Sequence, residues 1–244
     1  MEVVSAFITD RGRKRKLNED SFLANDWLGV YVVCDGMGGH ACGDVASQSA
    51  VEVLKAKLEL AKKGNRKVSP AKSFLDAVQL ANRAVWEMSS GAAACRSMGT
   101  TIAAVMVLDD TCVVAHVGDS RVYRIRDGAI AQLTRDHSLV EEEVMMGIIT
   151  KAEAKTSSKR NVITRALGLK EEVEIESKEY EIKKGDFLLL CSDGLTGMVE
   201  DEDILKIIMS EGAGNLNKAV SILIEHANLN GGDDNITAVL LYFK

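Results

Sequence analysis

Apolar residues come in short unbroken runs along this chain, and acidic residues stand where the runs stop. Val3–Thr9 is the first run and "GVYVVCD" (29–35) the second. Others follow at close spacing over 99–110, 111–120 and 121–134, then "FLLLC" (187–191) and the closing "ITAVLLYF" (236–243). Runs of this length, bounded by turn residues and rich in β-branched side chains, predict strands. Links this short argue for antiparallel pairing, because a parallel crossover needs a dozen residues or more. Asp127-Gly128 interrupts the third of the closely spaced runs and predicts a two-residue hairpin turn, with positive φ at both positions.

A helical period takes over between the strands. The spacing predicts a helix over about Gly43–Lys63, with Ala50, Leu54 and Leu58 on a different face from Val45, Ser49, Val53 and Lys57. A second, over about Pro70–Ser89, carries the stripe Phe74, Val78, Ala81, Val85 and Met88, which reads as core. Ser69 suits its N-cap and Pro70 its first helical position. Two later helices are expected at about Asp201–Ser210 and Asn215–Asn228. The segment 138–165 is charged and helical in composition and lies between strand-rich parts. It reads as an excursion from the main body. Its charges suit a solvated face, and its position suits a role in specificity. No linker is rich enough in Pro, Gly or Ser to split the chain, so one domain over 1–244 is expected.

Composition narrows the function classes. A chain of 244 residues can bury a core without staples. The net charge of -6 argues against a general nucleic-acid binder. The cysteines, at 34, 42, 95, 112 and 191, are odd in number and form no CxxC pair. That favours a reduced, cytoplasmic compartment without a zinc site. Cys34, Cys112 and Cys191 sit within apolar runs and read as buried thiols. The N-terminal stretch lacks the basic-then-apolar order of a signal peptide. No apolar run is long enough to span a bilayer, so no membrane role is expected.

The candidate chemistry lies at the strand ends. Asp35 and Asp193 end apolar runs and are each followed by Gly; Asp119 follows Gly118; Asp234 precedes the last strand; Asp20 follows a basic stretch. Carboxylates gathered at low-dielectric sheet ends repel one another. Magnesium or manganese would relieve that repulsion, since both favour oxygen ligands. A glycine beside the ligand lets a backbone carbonyl approach. A strand-end Asp-Gly is equally a common turn former, and the residues alone leave both readings open. Arg15, five residues before Asp20, offers a rigid fork for phosphate oxygens. The rest of the run Arg13–Lys16 reads as solvated surface. Metals beside an arginine suggest phosphoryl chemistry.

The ordered set "RKLNEDSF" (15–22), "VVCDGMGGHACGDVAS" (32–47), "SMGTTIAAV" (97–105), "AHVGDSRVYRIRDG" (115–128), "LTRDHS" (133–138), "NVITRALG" (161–168), "FLLLCSDGL" (187–195) and "GGDDNITAVLL" (231–241) resembles the metal-dependent protein serine/threonine phosphatases of the PPM family, type 2C, in its bacterial single-domain form. The motifs run in family order over essentially the whole chain. The resemblance implies an α+β fold, a four-layer α-β-β-α sandwich of two antiparallel sheets flanked by helices, with a mobile flap at about 139–166 beside the site. It implies two to three Mn²⁺ or Mg²⁺ ions, with Asp35 as bridging ligand and the Gly36 carbonyl on one ion. Asp193 and Asp234 bind the other ion, and Asp119 with Asp193 matches a third, weaker position. Asp20 acts through metal-bound water and Arg15 grips the substrate phosphate. Two ions would activate a shared water for in-line attack on phosphorus, with no phosphoenzyme.

The serine or threonine leaving group needs a proton. Animal-type members carry His where this chain has Met37, and Met cannot donate one. His40 is a candidate acid, as in the bacterial pattern; a loop-packing role for His40, with a metal-bound water as acid, stays open. His116, His137 and His226 read as structural. The expected partners are phosphorylated proteins, targets of a serine/threonine kinase, and the expected state is a monomer. The rival reading is an inactive phosphoprotein-binding module on the same scaffold. The retention of Arg15, Asp20, Asp35, Asp119, Asp193 and Asp234 favours the enzyme over it.

Overall fold

In the computed structural model, residues 1–38, 42–64, 68–91, 95 and 97–244 are described. Strand β3 (Val30–Met37) explains why the apolar runs do not alternate with polar residues. Its Tyr31 and Val33 face the space between two sheets, while Val30, Val32 and Cys34 face helices. A strand covered on both sides is apolar at every position. The same holds for β10 (Phe187–Cys191) and β11 (Ile236–Phe243). Leu188, Leu190, Val239 and Leu241 enter the inter-sheet core; Leu189, Cys191, Ala238 and Leu240 enter the core beneath the C-terminal helices.

One sheet has the order β1-β11-β10-β7-β8, with β1 (Val3–Asp10), β7 (Arg121–Arg126) and β8 (Ala129–Gln132) beside the two strands just described. The other is β2-β3-β5-β6-β9, where β2 is Asp20–Asn25, β5 Ile102–Leu108, β6 Thr111–Val117 and β9 Glu176–Glu181. The short β4 (Gly99–Thr100) pairs with the end of β3. Every pairing is antiparallel. Asp127 and Gly128 turn β7 into β8 with φ of 52° and 74°, the hairpin their pairing predicts.

Helices α1 (Gly43–Lys63) and α2 (Pro70–Gly91) cover the second sheet. Ser69 Oγ accepts from the Lys72 N–H at 3.3 Å, so the predicted cap is in place. Helix α3 (Leu139–Met145) and helix α4 (Lys151–Thr156) form the charged excursion, with a Thr150–Glu153 capping box on α4. The turn α5 (Asp193–Thr196), α6 (Asp201–Ile207) and α7 (Leu216–Leu229) lie on the first sheet's outer face. A π-helical turn, Ile208–Gly212, extends α6. The result is the expected α-β-β-α layering.

Three details depart from the sequence reading. Met88 is 41% exposed, so the α2 stripe ends at Val85. Strand β9 (ESKEYE) carried no apolar signal, because an edge strand paired on one side only can stay polar. The thiols are not all reduced: Cys42 and Cys95 form a disulfide with their Cα atoms 5.6 Å apart, while Cys34, Cys112 and Cys191 are buried free thiols as expected. The bridge ties the start of α1 to the segment that leads into β4. A closed loop of 53 residues restricts the unfolded chain, so reduction should lower the unfolding free energy by about 2–4 kcal/mol. Urea unfolding with and without dithiothreitol measures this, and Cys95→Ser should behave like the reduced protein in both conditions. An identical midpoint in all cases would mean that the bridge contributes nothing.

Candidate metal centre

Asp35 lies in β3 directly opposite Asp20 of β2. Like charges in that cross-strand relation repel, so other contacts must hold them there. The Asp35 N–H donates to Thr101 Oγ1 at 2.9 Å. Its carbonyl accepts from the Thr101 N–H at 2.8 Å and from Thr100 Oγ1 at 2.9 Å. The next residue has to be glycine: a Cβ on Gly36 would sit 2.0 Å from the Gly43 carbonyl oxygen and 2.6 Å from that of Glu19. Glu19 in turn accepts from the Gly43 N–H through Oε1 at 3.2 Å.

Asp193 opens α5 just beyond β10. A Cβ on Gly194 would lie 2.0 Å from the Asn235 carbonyl oxygen, so glycine here lets the Asp193 and Asp234 segments touch. Asn235 is a hub: its Oδ1 accepts from the Glu19 N–H at 2.8 Å, and its Nδ2 donates to the Arg11 and Leu17 carbonyls at 2.9 and 2.8 Å. The loop bearing Arg15 is further tied by Arg13 and Lys14 N–H groups donating to Gly232, at 2.7 and 3.2 Å. Arg15 Nη2 then donates to Asp234 Oδ2 at 2.6 Å. Asp119 follows Gly118, and the neighbouring Ser120 shares a 2.7 Å hydroxyl hydrogen bond with Thr101. Thr101 thus connects the Asp35 backbone to the Asp119 turn.

Arg15, Asp35, Gly36, Asp119, Asp193 and Asp234 all line one recess of about 250 Å³ at the edge of the sandwich, with Glu19, Met37, Gly38, Thr101, Asn161, Ile163 and Asn235. Asp20 stands behind the lining, 8% exposed. Its Oδ2 accepts from Ser192 Oγ at 2.8 Å and Thr237 Oγ1 at 2.6 Å. His40 lies outside the described residues.

The carboxyls are far from their ordinary ranges. Burial, then the charges of Asp20, Asp193, Asp119 and Asp234, lifts Asp35 well above the usual carboxylate value. Burial pushes Asp20 to about 7 against the two hydroxyls that favour its ionised form. Asp119 is pushed to about 7 by burial and by Asp193. Asp193 rises through burial and Asp234. Asp20 Oδ1 and Asp193 Oδ1 are buried without any hydrogen-bond partner. An all-oxygen donor set of excess negative charge with orphaned oxygens fits hard divalent cations.

A second cluster among the described residues has its ligand atoms closer together. His116, His137 and Glu176 place one donor atom each within 4.8 Å of the others. Its hydrogen bonds argue against a metal. The Gly118 N–H donates to His137 Nδ1 at 3.1 Å, so neutral His137 carries its proton on Nε2, facing Glu176 Oε2 at 3.4 Å. His116 Nε2 is 2.7 Å from the Arg135 carbonyl, and Arg135 Nη2 donates to the same Glu176 oxygen at 3.0 Å. Burial lowers both imidazole pKa values, His137 to about 4. The stacked pair anchors the excursion instead. The His137 N–H donates to Gly118 and its carbonyl accepts from Thr164, which pins both roots of the segment beside Asp119.

Sequence reasoning assigned no role to Asn161, Asn235, Thr101, Ser192 or Thr237. The signal available was a polar side chain inside an otherwise apolar run, as in "NITAVLL".

The family model described as protein phosphatase 2C matches residues 9–228. The serine/threonine phosphatase stp of Listeria monocytogenes is 38% identical over 242 residues, covering 96% of this chain and 94% of that protein. The crystal structure of the Mycobacterium tuberculosis serine/threonine phosphatase PstP/Ppp superposes with a TM-score of 0.90 at 35% identity, covering 99% of each chain. A catalytic-domain structure of PstP in complex with two manganese ions superposes with a TM-score of 0.87 at 34% identity, covering 98% of this chain and 97% of that one.

The raised carboxyl pKa values have a consequence for stability. Between about pH 4 and about pH 7, Asp20, Asp35, Asp119 and Asp193 hold protons in the metal-free native chain that they lose in the unfolded one, and they outnumber His116 and His137, whose lowered values act the opposite way. Stability of the metal-free protein therefore falls as pH rises through that window. Thermal unfolding in chelator should show Tm decreasing across it, and added Mn²⁺ should restore Tm at the upper end. A metal-free Tm that rises or stays flat would contradict the clustering of these carboxyls.

Proposed function

The chain belongs to the protein phosphatase 2C family, and from that premise we propose how its own residues divide the work. It is a metal-dependent protein phosphatase that hydrolyses phosphoserine and phosphothreonine in proteins. In this reading Asp35 would be shared between two ions and the Gly36 carbonyl would serve one of them. Asp193 and Asp234 would hold the other, and Asp119 with Asp193 would hold a third, weaker one. The cofactors are two to three Mn²⁺ or Mg²⁺. Bound there, such ions supply a water-derived nucleophile near neutral pH and positive charge for the phosphoryl oxygens.

The remaining groups position and exclude. Arg15 is about half exposed at the recess mouth, with its guanidinium held over the carboxylates by Asp234. From there its fork orients the phosphoryl group. Asn161 and Ile163 bring the end of the flap, about 139–166, to the recess, where they contact the substrate and limit water. Asp20 works from behind the lining. For the leaving alkoxide we assign the proton to His40, the histidine that the "GMGGH" motif places nearest Asp35 in sequence.

The single observation that carries this reading is the excess of carboxylate over cation in one recess, with Asp20 Oδ1 and Asp193 Oδ1 buried and unpartnered. We further propose that residues 1–244 act as one domain and as a monomer, on phosphorylated targets of a serine/threonine kinase, without nucleic-acid or membrane partners. We assign it to the cytoplasm. Among the described residues no helix is long and apolar enough to cross a membrane.

Phosphate release from an aryl phosphate and from a phosphothreonine peptide, in Mn²⁺ or in chelator, tests the whole. Turnover should require the metal, and Asp35→Asn should lower kcat on the order of a thousandfold or more with the thermal unfolding of the metal-free fold retained. Near-normal turnover by Asp35→Asn would remove its bridging role; no metal-dependent turnover at any pH would leave the inactive binding module. His40→Ala should slow alkyl phosphates more than aryl ones, because an aryl leaving group needs less protonation. Equal slowing would assign His40 to positioning.

A further inference from the structure

Asp20 is held by a hydrogen-bond circuit whose direction can be worked out atom by atom. Its own N–H donates to Asn18 Oδ1 at 3.2 Å, which fixes the orientation of that amide. Asn18 Nδ2 must then be the group that donates to Thr9 Oγ1, at 2.8 Å. Thr9 and Thr237 are cross-strand partners on β1 and β11, and their hydroxyl oxygens are 2.7 Å apart. Thr237 Oγ1 lies 2.6 Å from Asp20 Oδ2. Thr237 is the donor in that bond, so its one hydroxyl proton is committed to Asp20 and Thr9 must donate to Thr237. The chain reads Asn18 to Thr9 to Thr237 to Asp20, and closes on the residue where it began.

Ser192 has the same logic. Its hydroxyl oxygen accepts from the Thr237 N–H at 3.0 Å, so its proton is free to be given away. The takers are Asp20 Oδ2 at 2.8 Å and the Asn235 carbonyl at 3.4 Å, and the shorter, charge-assisted bond wins. Both hydroxyls therefore converge on one oxygen of Asp20. Oδ1 is left buried with no partner. Thr237 and Ser192 are themselves fully buried, so water cannot substitute for either.

We propose that Thr237 and Ser192 are positioning residues that saturate Oδ2 of Asp20 and so dedicate Oδ1 to the metal centre, with Thr9 and Asn18 setting the direction of the donors. This rests on the metal-centre reading given above. Strands β10 and β11 put the two hydroxyls there: Ser192 directly follows β10, and its N–H donates to the Thr237 carbonyl at 3.1 Å. A hydroxyl between Ile236 and Ala238, both in the core, is otherwise an unneeded cost in an apolar strand. Outer groups that orient metal-site carboxylates typically set metal affinity by 10–100-fold.

The test compares Thr237→Val, which keeps the shape and removes the donor, with Thr237→Ser, which keeps the donor. Mn²⁺ binding is read by isothermal titration calorimetry, with kcat and KM on an aryl phosphate and thermal unfolding in chelator measured alongside. Thr237→Val should weaken Mn²⁺ binding by about tenfold or more and lower kcat with little change in KM; Thr237→Ser should recover most of both. If Thr237→Val fails to fold, Thr9→Val at the exposed end of the circuit should weaken Mn²⁺ binding severalfold in the same direction. Wild-type Mn²⁺ affinity in a folded Thr237→Val, or in Thr9→Val when the former is unfolded, would overturn the positioning role. Equal losses in Thr237→Val and Thr237→Ser would overturn it too. If the wild-type protein binds no Mn²⁺, the metal-centre reading itself falls first, and the two failures are told apart by that one titration.

Discussion

Mutual repulsion among buried carboxylates is the constraint on which the rest of this structure depends. Asp20 and Asp35 face each other across a strand pair, with Asp119, Asp193 and Asp234 close enough to raise the Asp35 pKa further. Left to themselves, such groups would separate into water. They stay together because each is attached to an element that cannot move. Strands β3, β10 and β11 are packed on both faces, and their ends emerge at the same edge of the sandwich. The two cores outside the sheets and the one between them hold the charges against their preference.

Close approach of backbone to backbone is the second condition. Gly36 and Gly194 occupy positions where any Cβ would collide with a carbonyl oxygen 2.0 Å away. This is why an apolar run ends in Asp-Gly at both places: the strand directs the carboxylate, and the glycine lets another segment close in behind it. Around that contact the hydroxyl and amide groups of Thr100, Thr101, Ser192, Asn235 and Thr237 take up the backbone and carboxylate valences that burial would otherwise leave empty. Asp20 Oδ1 and Asp193 Oδ1 are left without a hydrogen-bond partner.

The excursion carrying α3 and α4 joins this frame through a different kind of contact. Its two roots meet at His137, whose backbone and ring both bond Gly118, next to Asp119. The imidazole is neutral and its tautomer is set by its neighbours, so it works as a fixed bracket. Asn161 and Ile163, just before the second root, reach the recess. The end of the excursion and Asp119, which line the same recess, are therefore tied to one short turn.

Local pattern determined much of this protein. The apolar strands, the Asp127-Gly128 hairpin, the capped start of α2 and the placing of aspartates at strand ends are written in hydrophobic pattern and turn chemistry, which neighbouring residues settle among themselves, whereas the roles of those aspartates and of Arg15 were legible only through the resemblance of ordered motifs. Tertiary structure alone decided which distant segments meet. Arg15 finds Asp234 across 219 positions and Cys42 finds Cys95 across 53. Strand β9 is a strand because β6 offers it a partner. Asp20 stands behind the recess lining because Ser192 and Thr237 draw its carboxylate there. A periodic pattern records which face of an element is apolar; it holds no record of what that face or edge will touch, since that contact exists only once the chain has closed on itself.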